Sequence, residues 1–169
     1  MRTLFTGEPF VAYAQIYVDG SGSQPCLDEC FAGQANGLCG AAVPGFLFLI
    51  TGLHTGNVGL TIESHDAEPP LDDTWEEIVE ASFRPRGQRV GLCQWAGEAW
   101  WDLDLPECDH RVRYCAINLD EARAADTRSS DEPDLDLYLL QFWPAPPADD
   151  RVLKQTSKVA AYWHQRLLA

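Results

Sequence analysis

Large and small side chains alternate with a period of two through most of this chain, and that pattern confines it to sheets with one buried face. In residues 11–18, β-branched and aromatic residues alternate with small ones, and Asp19-Gly20-Ser21-Gly22 closes the run as a turn. Residues 46–51 are a continuous apolar strand. A tight connection, Gly52 to Gly56, then leads into Val58, Leu60 and Ile62, which alternate with Asn57, Gly59, Thr61 and Glu63. Further strands are predicted over residues 75–83, 89–94, 101–105, 111–117 and 135–143. Residues 21–42 read as a long loop with a helical turn near 27–32, and residues 120–134 as a polar loop. Trp100 and Trp101 must point to opposite faces. Trp101 is expected in the core and Trp100 under Trp163 and the Pro-rich segment.

Seven or eight short strands with turn-rich links predict a mostly β, single-domain antiparallel β-sandwich over residues 1–147. Pro144-Ala145-Pro146-Pro147 cannot continue a sheet, and Asp149 or Asp150 can cap a helix starting at Arg151. Val152, Thr156, Val159, Trp163 and Leu167 would share one face of it. Residues 148–169 are therefore expected to form one C-terminal α-helix packed on the sandwich. A chain of 169 residues, 46% hydrophobic and 22% charged, is long and apolar enough for such a core.

Charge is distributed unevenly. Residues 3–83 contain no Lys or Arg and twelve Asp and Glu, so with Arg2 the first 83 residues carry −11 of the total −14. Eight of those acids crowd into residues 63–80. Such a one-signed field steers basic partners and repels nucleic acid and anionic membrane. Asp66, Glu68, Asp72, Asp73, Glu76 and Glu77 are the candidate partner-binding residues, and the expected partner is a protein with a basic surface. A solvated face that only aids solubility is the plain alternative. Nucleic-acid binding needs a Lys/Arg stripe. Arg84, Arg86, Arg89, Arg111 and Arg113 are the only basic cluster, and they are expected to balance nearby acids. The start, MRTLFTGEPF, lacks a basic n-region and an apolar h-region, and the longest apolar run is broken by Pro44 and Gly45. A cytoplasmic, non-membrane protein is expected.

Six cysteines without an export signal are expected to be reduced thiols. Cys26, Cys30 and Cys39 have part of a zinc spacing, but the second close pair of ligands is missing, so no metal and no cofactor is expected. Paired acids could also hold a divalent cation or cleave a glycoside, but the EF-hand spacing is absent. Local catalytic signatures such as Gly-x-Ser-x-Gly, His-Glu-x-x-His, a P-loop and Gly-x-Gly-x-x-Gly are absent as well. His54, His65 and His110 read as solvated turn histidines. A cleft near His54, Trp100 and His110 is the site that a small-molecule or carbohydrate-binding module, or an enzyme, would need.

The order of motifs resembles the ComJ-like family, small competence-associated nuclease inhibitors. It runs through an early aromatic strand (residues 10–18), a long loop, a Pro-Gly-plus-apolar strand (43–50) and Val-Gly-Leu-Thr-Ile-Glu (58–63). Trp-Glu-Glu-Ile-Val-Glu (75–80) and Trp-Asp-Leu-Asp-Leu-Pro, followed by Arg-Val-Arg-Tyr (101–114), complete it. Leu-Gln-Phe-Trp-Pro-Ala-Pro-Pro (140–147) is similar to a segment in actinobacterial proteins. The similarity spans roughly residues 10–143. It implies a non-enzymatic inhibitor or immunity-type role against a nuclease or another basic partner, and it carries over no individual inhibitory residue.

Overall fold

In the computed structural model, which describes residues 1–166, three sheets and three helices are built from the alternating segments. Strands β1 (Arg2–Gly7), β2 (Phe10–Val11) and β3 (Gln15–Asp19) precede a single helical turn, α1 (Leu27–Cys30). β4 (Cys39–Gly40), β5 (Phe46–Ile50), β6 (Gly56–Asn57) and β7 (Gly59–Ser64) follow. Beyond the acidic stretch come β8 (Glu77–Phe83), β9 (Gly91–Cys93), a 3-10 turn (Trp95–Gly97), β10 (Trp100–Asp102) and β11 (His110–Ile117). α2 (Leu119–Ala125), β12 (Leu137–Pro144), β13 (Arg151–Lys154) and α3 (Lys158–Arg166) complete the described chain. The larger sheet has the order β1-β7-β12-β11-β8-β13, the second β10-β9-β3-β5-β4, and β2 pairs with β6 alone.

The periodicities explain the burial. β7 buries Leu60 and Ile62 and leaves Thr61 and Glu63 half-buried. β5 is flanked by β3 and β4 and buries all five residues, as its continuous apolar run requires. Val112, Tyr114 and Phe142 from the larger sheet and Ile16, Leu47, Leu49 and Leu92 from the second join one hydrophobic cluster. Polar pins cross it: the Tyr114 hydroxyl donates to the Ile50 carbonyl at 2.9 Å, and the Gly52 N–H donates to the Tyr138 hydroxyl at 2.7 Å. Tyr138 in turn donates to the buried Asp136 carboxylate. Burial pushes Asp136 above the usual carboxylate range.

Several expectations need correcting. The architecture has more pieces than seven or eight strands and one helix, and it is not purely antiparallel, because β12 runs parallel to β7 from Leu137↔Gly59 to Phe142↔Ser64. The helix expected from Arg151 is instead strand β13, since Arg151 reaches Glu80 and the extended segment continues the sheet beside β8. The final helix starts at Lys158. Ser157 Oγ accepts from the Ala160 N–H at 3.0 Å, and the Asp120 carboxylate accepts from the Lys158 and Val159 N–H groups. Val152 and Thr156 therefore lie before that helix. Val159 and Trp163 lie on it against the core, and Leu167 lies outside the described residues.

Asp150 caps no helix. Its carboxylate takes the Ala35 and Asn36 N–H groups at 2.9 and 2.6 Å. His164 Nδ1 accepts the Gly37 N–H at 2.8 Å, and a Cβ at Gly37 would strike the Trp163 backbone, so the C-terminal segment clasps the Cys-rich loop closely. Helix α2 occupies part of the expected polar loop. Its short LDEARAA run pairs good helix formers with acids in the first turn and buries Leu119 and Ala122.

Candidate partner-binding surface

The acidic stretch divides at β8. Side chains on one face of β11 point away from the core, and Arg111 and Arg113 stand there opposite Ser82 and Glu80 of β8. Glu80 is completely buried. Arg113 Nε and Nη2 lie 3.0 and 2.9 Å from its Oε1, Arg111 Nη2 lies 3.4 Å from Oε2, and Arg151 donates to the same oxygen. Burial alone would push the Glu80 carboxyl up. The bonds from Arg151 and Arg113 outweigh it and hold the group below the ordinary range.

The loop preceding β8 lies across this face because Arg113 holds it. Arg113 Nη1 donates to the Pro69 carbonyl at 2.8 Å, and Nη2 meets Glu68 Oε1 at 3.1 Å. Arg113 also stacks over Trp143, 5.1 Å from the ring centroid. Arg111 performs the same service for the segment before β13, donating to Ser82 Oγ at 2.9 Å and the Ala148 carbonyl at 2.8 Å. These pairings account for the outward face of β11 being buried like its core face.

The six candidate acids therefore occupy different places. Asp66, Glu68, Asp72 and Asp73 are exposed on the loop. Among the described residues, the Asp66 and Asp73 carboxylates meet no hydrogen-bond donor or ion-pair partner. Asp72 accepts from the Thr74 hydroxyl at 2.6 Å and the Thr74 N–H at 3.0 Å, which hold its carboxyl below the usual range. Glu76 is half-buried and accepts the Asn118 N–H at 2.8 Å, at the start of α2. Glu77 must be corrected. It is fully buried, and its carboxylate gathers the Thr156 N–H and hydroxyl, both at 3.0 Å, and the Ser157 N–H at 2.6 Å. It ties the approach to α3 down and faces no partner.

The arginines largely balance acids, as expected from their crowding. Besides the Glu80 clasp, Arg84 meets Asp109 at 3.4 Å and Arg89 meets Asp102 at 2.8 Å.

The other candidate cleft does not assemble. His54 sits between β5 and β6 beside Thr55 and Tyr13, with its Nδ1 2.8 Å from Thr55 Oγ1. Trp100 lies at the edge of the second sheet, where its indole N–H donates to Asp102 at 2.8 Å and Arg89 covers its ring. Its ring also fills the space above Gly91, so Arg89 and Gly91, not Trp163 or the prolines, are its neighbours. His110 is not a solvated turn residue: it is 1% exposed at the start of β11, with Nε2 2.9 Å from the Pro106 carbonyl. Among the described residues, no hydrogen bond or ring contact joins any two of the three side chains. His65, in turn, is half-buried and bonds Glu63 at 2.8 Å. All six cysteines are unpaired, and no three His, Cys, Asp or Glu side chains gather as a metal-binding group among the described residues. No helix among them is long and apolar enough to cross a membrane.

Sequence reasoning missed the roles of Glu77 and Glu80. A signal existed for Glu77, which period two places on the same face as Val79 and Ala81; Glu80 falls on the opposite face, where only its distant arginine partners cover it. It also missed a recess beside β3, described below.

No family model matches this chain, and no curated protein matches it. Two solved structures do. ComJ from Bacillus subtilis, an inhibitor of the DNA degrading activity of NucA, superposes with a TM-score of 0.57 at 16% identity, over 85% of this chain and 98% of ComJ. The product of crocagin biosynthetic gene J superposes with a TM-score of 0.53 at 14% identity, over 86% of this chain and all of the other. The likeness read from strand order thus extends to three dimensions, and the fold of this chain is ComJ-like.

Proposed function

We propose that this protein is a non-enzymatic, inhibitor-type binding protein that docks on a basic surface of a partner protein through its exposed acidic loop. Asp66 and Asp73 carry the reading. They are exposed and their carboxylates form no ion pair among the described residues, while the loop that bears them is fastened by Arg113 at Pro69 and by the Lys154 ammonium, which donates to the Asp73 backbone carbonyl at 2.6 Å. A held loop presents charge at little entropic cost on binding. Glu68 and Asp72 flank them, and Glu76 lies at the half-buried rim. The ComJ-like fold supports the reading, since ComJ itself inhibits the DNA degrading activity of NucA. A nuclease with a cationic cleft is the partner class that such a face fits.

The test is co-purification with the products of neighbouring genes, followed by association kinetics on any retained protein. Asp66→Lys with Asp73→Lys should slow association about tenfold at low salt, and the difference should shrink as salt rises. A retained partner whose association ignores both charge reversals and salt would rule the acidic loop out as the docking face.

A further inference from the structure

The second sheet carries a recess of about 270 Å³ that the acidic loop does not touch. Tyr17 and Asp19 of β3 and Phe46 of β5 form one side of it. The connection from β9 to β10 brings Gln94 and Trp95 to the other. No Lys or Arg lines it. Tyr17, Asp19 and Phe46 all come from the stretch of sequence that contains no cation between residues 3 and 83.

Three observations mark it as built to receive something. The first is Gln94, which is only 9% exposed, yet its side-chain amide makes no hydrogen bond with any described residue. The little of Gln94 that stays open lies at the recess, so its amide is free to bond whatever enters there in place of water. The second is Asp19. Its Oδ1 takes the Ser21 N–H at 2.8 Å, the Ser21 hydroxyl at 2.9 Å and the Gly22 N–H at 3.0 Å, which fixes the carboxylate and leaves Oδ2 without a donor. The negative field reaches into the recess, for the Cys93 thiol is raised first by burial and then by Asp19. The third is backbone strain. Ala96 has φ 56, a left-handed conformation that costs an alanine about 1 kcal/mol or more. That turn seats Trp95 with its ring 5.0 Å from Tyr13.

We infer that this recess receives a lysine or arginine side chain presented by the partner protein. Tyr17, Phe46 and Trp95 supply ring faces, which attract a cation, Asp19 Oδ2 supplies the counter-charge, and Gln94 Oε1 accepts one more N–H. An anionic group is disfavoured by Asp19 and finds no cation in the lining. The inference deepens the reading of an acidic protein that binds a basic partner, and it rests on that reading for the partner but not for the recess itself.

The recess can be tested without any partner. Nα-acetyl-arginine amide and Nα-acetyl-lysine amide are titrated into the full chain while the backbone and indole NMR resonances of Gln94, Trp95 and Tyr17 are followed. Saturable shifts are expected there, with citrulline amide and glucose producing none. Asp19→Asn keeps the Oδ1 acceptor for Ser21 and Gly22 and should weaken binding about tenfold, as loss of one charged hydrogen bond implies. Gln94→Leu, which removes only the amide, should weaken it less. Equal shifts with citrulline amide or glucose, or binding unchanged in Asp19→Asn, overturn the inference. A failed partner capture would count against the acidic loop, while failed amide binding counts against the recess even if the loop binds.

Discussion

Asp73 and Glu80 are seven residues apart in the same acidic run, yet one carboxylate stands in solvent with no ion-pair partner among the described residues and the other is fully buried among three arginines. The contrast shows that charge density along a sequence is not charge density on a surface. A strand passing through an acidic segment carries acids on both faces, and a carboxylate that becomes covered survives only when donors satisfy it: guanidinium groups at Glu80, and the Thr156 and Ser157 N–H groups at Glu77. One of the arginines that neutralise Glu80, Arg113, also pins the loop that carries Asp66 and Asp73. The structural acid and the exposed acids are thus linked through Arg113, and the two sets should respond oppositely to mutation.

Glu80→Gln should show the largest effect. It leaves Arg111, Arg113 and Arg151 around a neutral group, and loss of a buried partner of this kind costs about 3–5 kcal/mol, measured by urea unfolding. Glu77→Ala should follow at about 1–3 kcal/mol, because the buried Ser157 N–H loses its acceptor along with the Thr156 N–H. An unchanged midpoint for either variant would erase the distinction between the two halves of the run.

Acid titration sharpens the same contrast. Glu80 is held below its ordinary value of 4.5 in the folded state. Its contribution to stability is therefore full above pH 4.5 and is lost as pH falls through the lower folded value. Unfolding of the wild type should steepen with acid below pH 4.5, and Glu80→Gln should lose that part of the dependence. His164 adds an earlier step of its own. Burial lowers its pKa below 6.5, so docking of α3 on the Cys-rich loop is full above that value and weakens as pH falls through the folded one. Histidine and tryptophan NMR signals of α3 would report it. The smallest effect on stability belongs to Asp66→Lys with Asp73→Lys, which should stay within about 0.5 kcal/mol of wild type.

Much of the fold is legible in the sequence because period two is a strong signal. Residues 46–51 and the Val58–Leu60–Ile62 alternation map directly onto β5 and β7. The exposed loop acids are legible as well, since Pro69-Pro70 keeps that segment out of a sheet. The parallel pairing of β7 with β12 leaves no local trace, being decided by contacts between segments more than seventy residues apart. β13 was hidden for a related reason. Residues 151–166 can be spaced on a helical face, but Glu80, placed by a distant strand, captures Arg151 and holds the first part extended. Long-range charge satisfaction overrode local periodicity there, and it did so again at Glu77, whose partners Thr156 and Ser157 lie nearly eighty residues away.

The division within the acidic run is tested most directly by urea unfolding of Glu80→Gln and of Asp66→Lys/Asp73→Lys, side by side at neutral pH. A large fall in the midpoint is expected for the first and none for the second. Equal falls, or a fall only in the charge-reversed loop, would contradict it.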